Sequence, residues 1–236
     1  MTCCSPLTIL YRDPSLVVID KPGGLLSVPG RGPAGTDSVV ARLQQLLPRC
    51  IAQPAVHRLD MDTSGLMVLA LTQPAHRHLS AQFAHRQVIK YYAALLEGVV
   101  SHAEGEIALP FRLDPDNRPR QVYDPVHGKI GISKWRKISV TGQQTLVAFQ
   151  PLTGRTHQLR LHASHPHGLG CPIVGDRLYG TAFPREGLRL HAALLALRHP
   201  DTNQWLQFQS PPPFAPTFLA SLEQLCPPCT PLSTTN

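Results

Sequence analysis

No stretch of this 236-residue chain is apolar for long enough to cross a bilayer as a helix. The N-terminal MTCCSPLTILYRDPS has no basic flank ahead of an apolar segment, so no secretory leader is expected, and a soluble cytoplasmic protein is the expectation. Internal repeats are absent, and no composition shift marks a linker between domains. Phosphate-loop chemistry is not provided for: PGGLLSVPG lacks the Lys and the following helix of a P-loop. The glycines of GLGCPIVGDRLYG have the wrong spacing for a dinucleotide site. Six cysteines are too scattered for a disulfide framework. Cys226 and Cys229 have redox or zinc spacing, but only Cys3 and Cys4 could complete four ligands, and no metal is expected there.

Acidic residues are also scarce. Asp and Glu total 15 against 22 Lys and Arg, mostly Arg, and 12 His stand beside them. A surplus of +7 is either ordinary solubilising charge or a means of binding a polyanion, since each neutralised phosphate releases counterions. At 42% apolar the chain can bury a proper core.

TILYRDPSLVVIDKPGGLLSVPGR alternates apolar runs with turn signals and predicts two short strands. Thr36 or Asp37 can cap a helix whose apolar face is Val39, Val40, Leu43, Leu46 and Leu47. Leu66 to Leu71 reads as a buried strand, and Pro74 opens a helix with Leu79 and Phe83 on one face. VIKYYAALLEG is strand-like. Residues 105 to 135, rich in Pro, Asp and Arg, read as an excursion over the surface. SKWRKISVTGQQTLVAFQPL reads as a hairpin turning at a glycine, Thr153 as the cap of a following helix, and LRLHAALLALRHP with QWLQFQS as a last hairpin. The Pro- and Thr-rich end predicts a short helix and then disorder. Strands and helices mix irregularly, which favours α+β over a doubly wound sheet.

HRLDMDTSG, residues 57–65, concentrates charge at the mouth of the apolar run LMVLALT. In extended geometry Arg58 and Asp60 point to one side, His57 and Leu59 to the other. Such a pair is either a working group with its cation or a plain ion pair at a strand edge. Asp62, followed by TSG, suits a turn whose carboxylate bonds nearby N–H groups. Spacing favours Asp60 and leaves both open. The histidines at 157, 162, 165 and 167 lack zincin spacing, and no carboxylate lies between them. Backbone support or phosphate contact is expected of them, not a metal.

Several separated segments together resemble the RluA family of pseudouridine synthases. HRLDMDTSG resembles the signature H-R-L-D-x-x-T-S-G. KYYAALLEG (90–98) is similar to K-x-Y-x-A-x-x-x-G, and GRTHQLRLH (154–162) to G-R-[ST]-H-Q-[IL]-R-[VL]-H. CPIVGDRLYG (171–180) and LHA (190–192) match two further motifs, in the family's order. The likeness runs from about residue 8 to 214. DKPGGLLSVPGR (20–31) and LPFRLDPDNRPRQ (109–121) resemble the short members that lack an S4-like module. One departure is Gly187, where the family's R-x-x-L-H-A begins with Arg; Arg185 or Arg189 could compensate.

The resemblance implies a pseudouridine synthase fold: a central, largely antiparallel mixed sheet with flanking helices and a catalytic cleft. A single catalytic domain over 1–215 and a partly disordered tail over 216–236 are expected. It implies isomerisation of uridine in structured RNA, in a tRNA anticodon stem-loop, a 23S rRNA hairpin or both, by a monomer without cofactor or metal. Asp60 is the implied catalytic carboxylate, Arg155 its cationic partner, and Tyr92 the ring that stacks on the target base. Arg58 would occupy the space the flipped base leaves, and Leu190 would line the uracil pocket. Lys21, Arg31, Arg118, Arg120 and Arg160 are candidates for RNA backbone contacts. The rivals are a family member acting on a different uridine and an RNA-binding protein without catalysis. A metal-dependent hydrolase using the histidines is a third.

Overall fold

LVVIDK and SGLMVLA are near-continuous apolar runs, the pattern of strands covered on both faces. In the computed structural model they are β2 (Leu16–Lys21) and β3 (Ser64–Ala70), paired antiparallel with Val18 opposite Val68. Leu16 to Ile19 and Met67 to Ala70 are fully buried. The structure describes residues 6–30, 32, 35–180 and 187–224. These form two interleaved compact units: residues 6–89 with 192–210, and residues 90–191 with 211–224. Arg31, Arg185 and the four cysteines at 3, 4, 226 and 229 lie outside the described residues.

In the first unit the strand order is β1 (Thr8–Arg12), β2, β3 and β9 (Leu190–Arg198), and β10 (Trp205–Gln209) pairs antiparallel with β9. Asp13 shapes the β1–β2 turn. Its carboxylate accepts from Ser15 N at 2.7 Å, Leu16 N at 2.9 Å, the Tyr11 hydroxyl at 2.7 Å and His199 Nε2 at 2.8 Å. Burial pushes this carboxyl up, but the bonds, Tyr11's foremost, more than reverse it and hold it below its ordinary value.

The helix α1 (Val39–Leu46) is capped by neither Thr36 nor Asp37. Ser38 does it, its Oγ accepting from Ala41 N at 3.2 Å, while Asp37 is taken up by the Arg42 guanidinium at 2.7 and 2.6 Å. In α2 (Gln73–Ala84) the cap is Thr72, Pro74 lies in the first turn, and Leu79 is fully buried. Phe83 is only half-buried and stacks on His57. Gln82 also faces inward, its side-chain amide both donating to and accepting from the Arg198 backbone at 2.8 Å.

The second unit is an antiparallel sheet with order β4 (Ile89–Glu97), β8 (Gln144–Pro151), β7 (Lys129–Thr141), β5 (Glu104–Leu113) and β6 (Gln121–Tyr123). Residues 105–135 are therefore sheet rather than surface excursion. Ile107, Leu109 and Phe111 alternate into the core, whereas the Pro, Asp and Arg residues collect in the turns 114–120 and 124–128. The turn glycine of the β7–β8 hairpin is Gly142, at φ +58°. Two helices complete the unit, α3 (Gln158–Ser164) and α4 (Phe218–Glu223); Phe218 and Leu222 are buried. The α+β expectation holds.

His162 of α3 is fully buried beside the edge of Phe111, and neither ring nitrogen has a hydrogen-bond partner. Burial pushes its pKa down to about 4, with the Gly131 backbone acting weakly in the opposite sense. A histidine whose folded pKa is depressed adds stability above its unfolded value near 6.5 and loses it as pH falls through the folded one. Unfolding free energy is thus expected to drop by about 3 kcal/mol between those limits. In His162→Leu that slope should flatten, as read by urea unfolding across the acid range. An unchanged slope in the variant would assign it elsewhere.

Candidate active site

The charge-rich segment 57–65 lies in the first unit and enters β3. Its residues alternate as extended backbone requires: Leu59 is buried and Asp60 half-buried, while Arg58 is exposed. His57 Nε2 accepts from Val68 N at 3.1 Å, and its ring stacks on Phe83 with centroids 4.5 Å apart. The turn closes backbone to backbone, Thr63 N donating to the Asp60 carbonyl at 3.1 Å, rather than through the Asp62 carboxylate.

Asp60 is held by its neighbours on both sides. Ser27 Oγ donates to the Leu59 carbonyl at 2.6 Å and accepts from Leu59 N at 3.0 Å. The Met61 carbonyl accepts from Lys21 Nζ at 2.9 Å and from Gly24 N at 2.9 Å. Lys21 is fully buried, and its ammonium also donates to the carbonyls of Pro22 at 2.9 Å and Leu25 at 2.7 Å. This corrects its expected place at an RNA backbone: all three protons serve the loop. Burial pushes the Lys21 pKa down to about 8, against the opposing pull of the Asp62 and Asp60 carboxylates. Gly23 and Gly65 complete the loop's frame. A Cβ on Gly23 would stand 3.1 Å from the Asp62 carbonyl, and Gly65, at φ +106°, lies against the backbone of Ala192.

The second unit carries the other expected residues. Arg155 is exposed at the start of a short turn. Thr153 does not cap α3. That position belongs to His157, a left-handed residue at φ 55°. Thr153 Oγ1 instead donates to Gln158 Oε1 at 2.6 Å, and the same oxygen accepts from Arg155 N at 3.1 Å. Gln158 Nε2 then donates to the Ile132 carbonyl at 2.9 Å and Ser133 Oγ at 2.8 Å, so a single buried amide joins the Arg155 turn to β7. Tyr92 is half-buried on β4 opposite Phe149. Leu190 is 3% exposed and belongs to the apolar core.

Arg160 is the second correction. It is 3% exposed, and its guanidinium makes a two-pronged pair with Asp176 at 2.7 and 2.6 Å, so no face is left for RNA. Asp176 also accepts from Leu178 N and Tyr179 N. The Tyr179 hydroxyl accepts from Gln121 N at 2.8 Å and lies 2.9 Å from His157 Nδ1. The segment 171–180 is thereby a brace for α3. Arg118 and Arg120 remain exposed in the turn between β5 and β6. At Gly187 a Cβ would meet open space, and the Arg189 guanidinium lies 5.9 Å from the Phe214 ring centroid.

Ser27, Gln158, Asp176 and Tyr179 are the residues the sequence reading passed over. Gln158, Asp176 and Tyr179 stand inside matched motifs, and Ser27 lies in the segment DKPGGLLSVPGR after β2, but its partner Leu59 is 32 residues along the chain. The arrangement around Asp60 presents a carboxylate whose main chain is fixed at positions 59, 60 and 61, with an exposed guanidinium two residues before it.

The comparisons with known proteins agree on one family. The model of the RNA pseudouridylate synthase family matches residues 15–165. The chain is 44% identical over 214 residues to the dual-specificity RNA pseudouridine synthase RluA of Pasteurella multocida, covering 88% of this chain and 94% of that one. Against the protein of the same name from Escherichia coli K12 the identity is 42% over 212 residues, with the same coverage. Among solved structures, human RNA pseudouridylate synthase domain containing 4 superposes with a TM-score of 0.69 at 28% identity, covering 92% of both chains. Human RNA pseudouridylate synthase domain containing 1 gives 0.71 at 27%, covering 94% of this chain and 90% of that one. With the family model spanning the fixed Asp60 loop and the Arg155 turn alike, the chain belongs to the RNA pseudouridylate synthase family.

Proposed function

We propose that this protein isomerises uridine to pseudouridine in structured RNA, with a tRNA anticodon stem-loop and a 23S rRNA hairpin as its substrates. The supporting observation is the fixed Asp60 loop, in a chain 44% identical to a synthase called dual-specificity. In this reading the Asp60 carboxylate works at the junction of sugar and base as the N-glycosidic bond breaks. The freed uracil turns, its C5 bonds to C1′, the C5 proton leaves, and N1, released from C1′, takes up a proton. Atoms and oxidation state balance without a redox partner or group donor.

Arg155 is the proposed cationic partner of the Asp60 carboxylate, the role the family resemblance implies for it. Tyr92 stacks on the target base. Taking that base out of its stack costs a few kcal/mol, and Arg58, exposed two residues before Asp60, fills the space with a flat guanidinium that also reaches phosphate. Arg118 and Arg120 are proposed backbone contacts. Leu190, buried in the core, is the proposed apolar residue against the uracil. The cytoplasm is the inferred compartment; among the described residues no helix is long and apolar enough to cross a membrane.

The test is tritium release from transcripts labelled at uracil C5, one set of anticodon stem-loops and one of 23S fragments. Release from both supports the dual reading, release from one narrows it, and release from neither overturns it.

Lys21→Met would leave the Pro22, Leu25 and Met61 carbonyls without their shared donor. A misplacement of about 1 Å at Asp60 costs on the order of a hundredfold in rate. Single-turnover tritium release should slow by about that factor while filter binding of RNA holds. Weakened binding with an unchanged rate would return Lys21 to the role of RNA contact.

A further inference from the structure

The proposed chemistry makes no use of three rings that touch one another on the second unit. Tyr123 of β6 lies 4.9 Å from His165 and 5.2 Å from His167, and the two imidazoles are 5.2 Å apart, all between ring centroids. One side of Tyr123 rests on the core, yet the ring stays half-exposed, as does His165, and His167 is exposed. The cluster is ordered: His165 Nδ1 accepts from His167 N at 3.1 Å, which places the proton of the neutral ring on Nε2.

Its surroundings carry both signs. Glu104 and Glu106 line the same hollow as His167, Glu104 paired with Arg136 and Glu106 standing opposite Lys134 on the sheet. On the side of Tyr123 the free charge is mostly cationic. Tyr123 pairs across the sheet with Phe111, and Phe111 with Lys129, so Lys129 shares the face of Tyr123. The acid next to Tyr123, Asp124, is spent on Arg112 and on the backbone N–H groups of Val126 and His127. Asp114 is likewise spent on Asn117 and the N–H of Asp116. Arg118, Arg120 and Lys129 are left exposed, with Asp116 the one acid of these turns not so engaged.

Exposed rings beside cations suit an unstacked nucleobase whose phosphates meet the charge. We propose that Tyr123, His165 and His167 form a stacking platform for an unpaired RNA base other than the uridine that reacts. The proposal rests on the RNA substrate argued above and adds a contact to it. A purely structural role would bury the rings, and His167 in particular has no core to fill.

Affinity for the stem-loop and 23S transcripts would be measured over a salt series for wild type, Tyr123→Ala, Tyr123→Phe and His167→Ala. Loss of a stacked base weakens binding by roughly tenfold, so Tyr123→Ala should show that loss in Kd and in KM rather than in kcat. The salt slope should stay as in wild type, because no phosphate contact is removed. Tyr123→Phe should restore binding, and His167→Ala, changing an exposed ring, should weaken it with the fold intact by circular dichroism. Binding of Tyr123→Ala and His167→Ala equal to wild type overturns the platform alone, as does a Phe variant no better than Ala. Wild-type protein that binds neither RNA overturns the platform together with the proposed function.

Discussion

Asp60→Asn protein is expected to release no measurable tritium from either RNA while binding both within a few-fold of wild type. Removing a nucleophile from an enzyme lowers turnover by about 10⁴-fold or more. The affinity is kept because the change is isosteric and because the loop is gripped elsewhere. The bonds that fix it run from Ser27, Lys21 and Gly24 to main-chain atoms of Leu59 and Met61, none to the Asp60 carboxylate. Removing one negative charge also eases the approach of phosphates. The same change withdraws one of the two carboxylates that support the charge of Lys21, so its pKa should fall further. Turnover near the wild-type rate would move the chemistry to Asp62, and Asp62→Asn in the same assay would then be the inactive protein.

Gly65→Ala should be severely damaging for folding. Its Cβ would lie 2.4 Å from the Ala192 oxygen, 2.6 Å from its nitrogen and 2.9 Å from its carbonyl carbon. All three are backbone atoms of β9, so no side chain can swing away. The φ of +106° adds strain for any L-residue. A loss of about 4 kcal/mol or more is expected, in the range reserved for overpacking joined to backbone strain. Gly142→Ala is the matched control: its φ is +58° and its Cβ would meet nothing within 4 Å. That variant should lose about 1 kcal/mol. Denaturant unfolding of the two side by side separates steric conflict from backbone strain, and equal losses would remove the close-approach argument.

Local signals were legible wherever the deciding neighbours were local. β2 and β3 follow from their apolar runs, α2 from Pro74 and Leu79, and the β9–β10 hairpin from its two runs and the turn between them. Over 105–135 the same reasoning failed. Pro110 interrupts the alternation of Ile107, Leu109 and Phe111, and the Pro and Asp of two tight turns mask the strands they join. The cap of α1 slipped by one or two residues because Arg42 claims Asp37. His157 could not be foreseen as the start of α3, since its left-handed backbone is set by surrounding structure rather than by residue type.

Charge was harder to read than pattern. Lys21 in DKPGG and Arg160 in HQLRLH both resemble phosphate contacts, yet each is buried against partners distant in the chain. Met61 lies 40 residues from Lys21, and Asp176 lies 16 from Arg160. A sequence shows that a cation is present and not which way it faces. The motifs did locate Asp60 and Arg155 as candidates; the parts played by Ser27, Gln158 and Tyr179 emerge only from the hydrogen bonds they make.

The grip on Met61 is taken at its carbonyl oxygen, and its side chain is 45% exposed. Position 61 therefore divides its labour between main chain and side chain. Substitutions there alter what solvent meets without altering what Lys21 and Gly24 hold. The residue beside the acid offers a place to attach a spectroscopic reporter that would sense the arrival of RNA while leaving Asp60 where it stands.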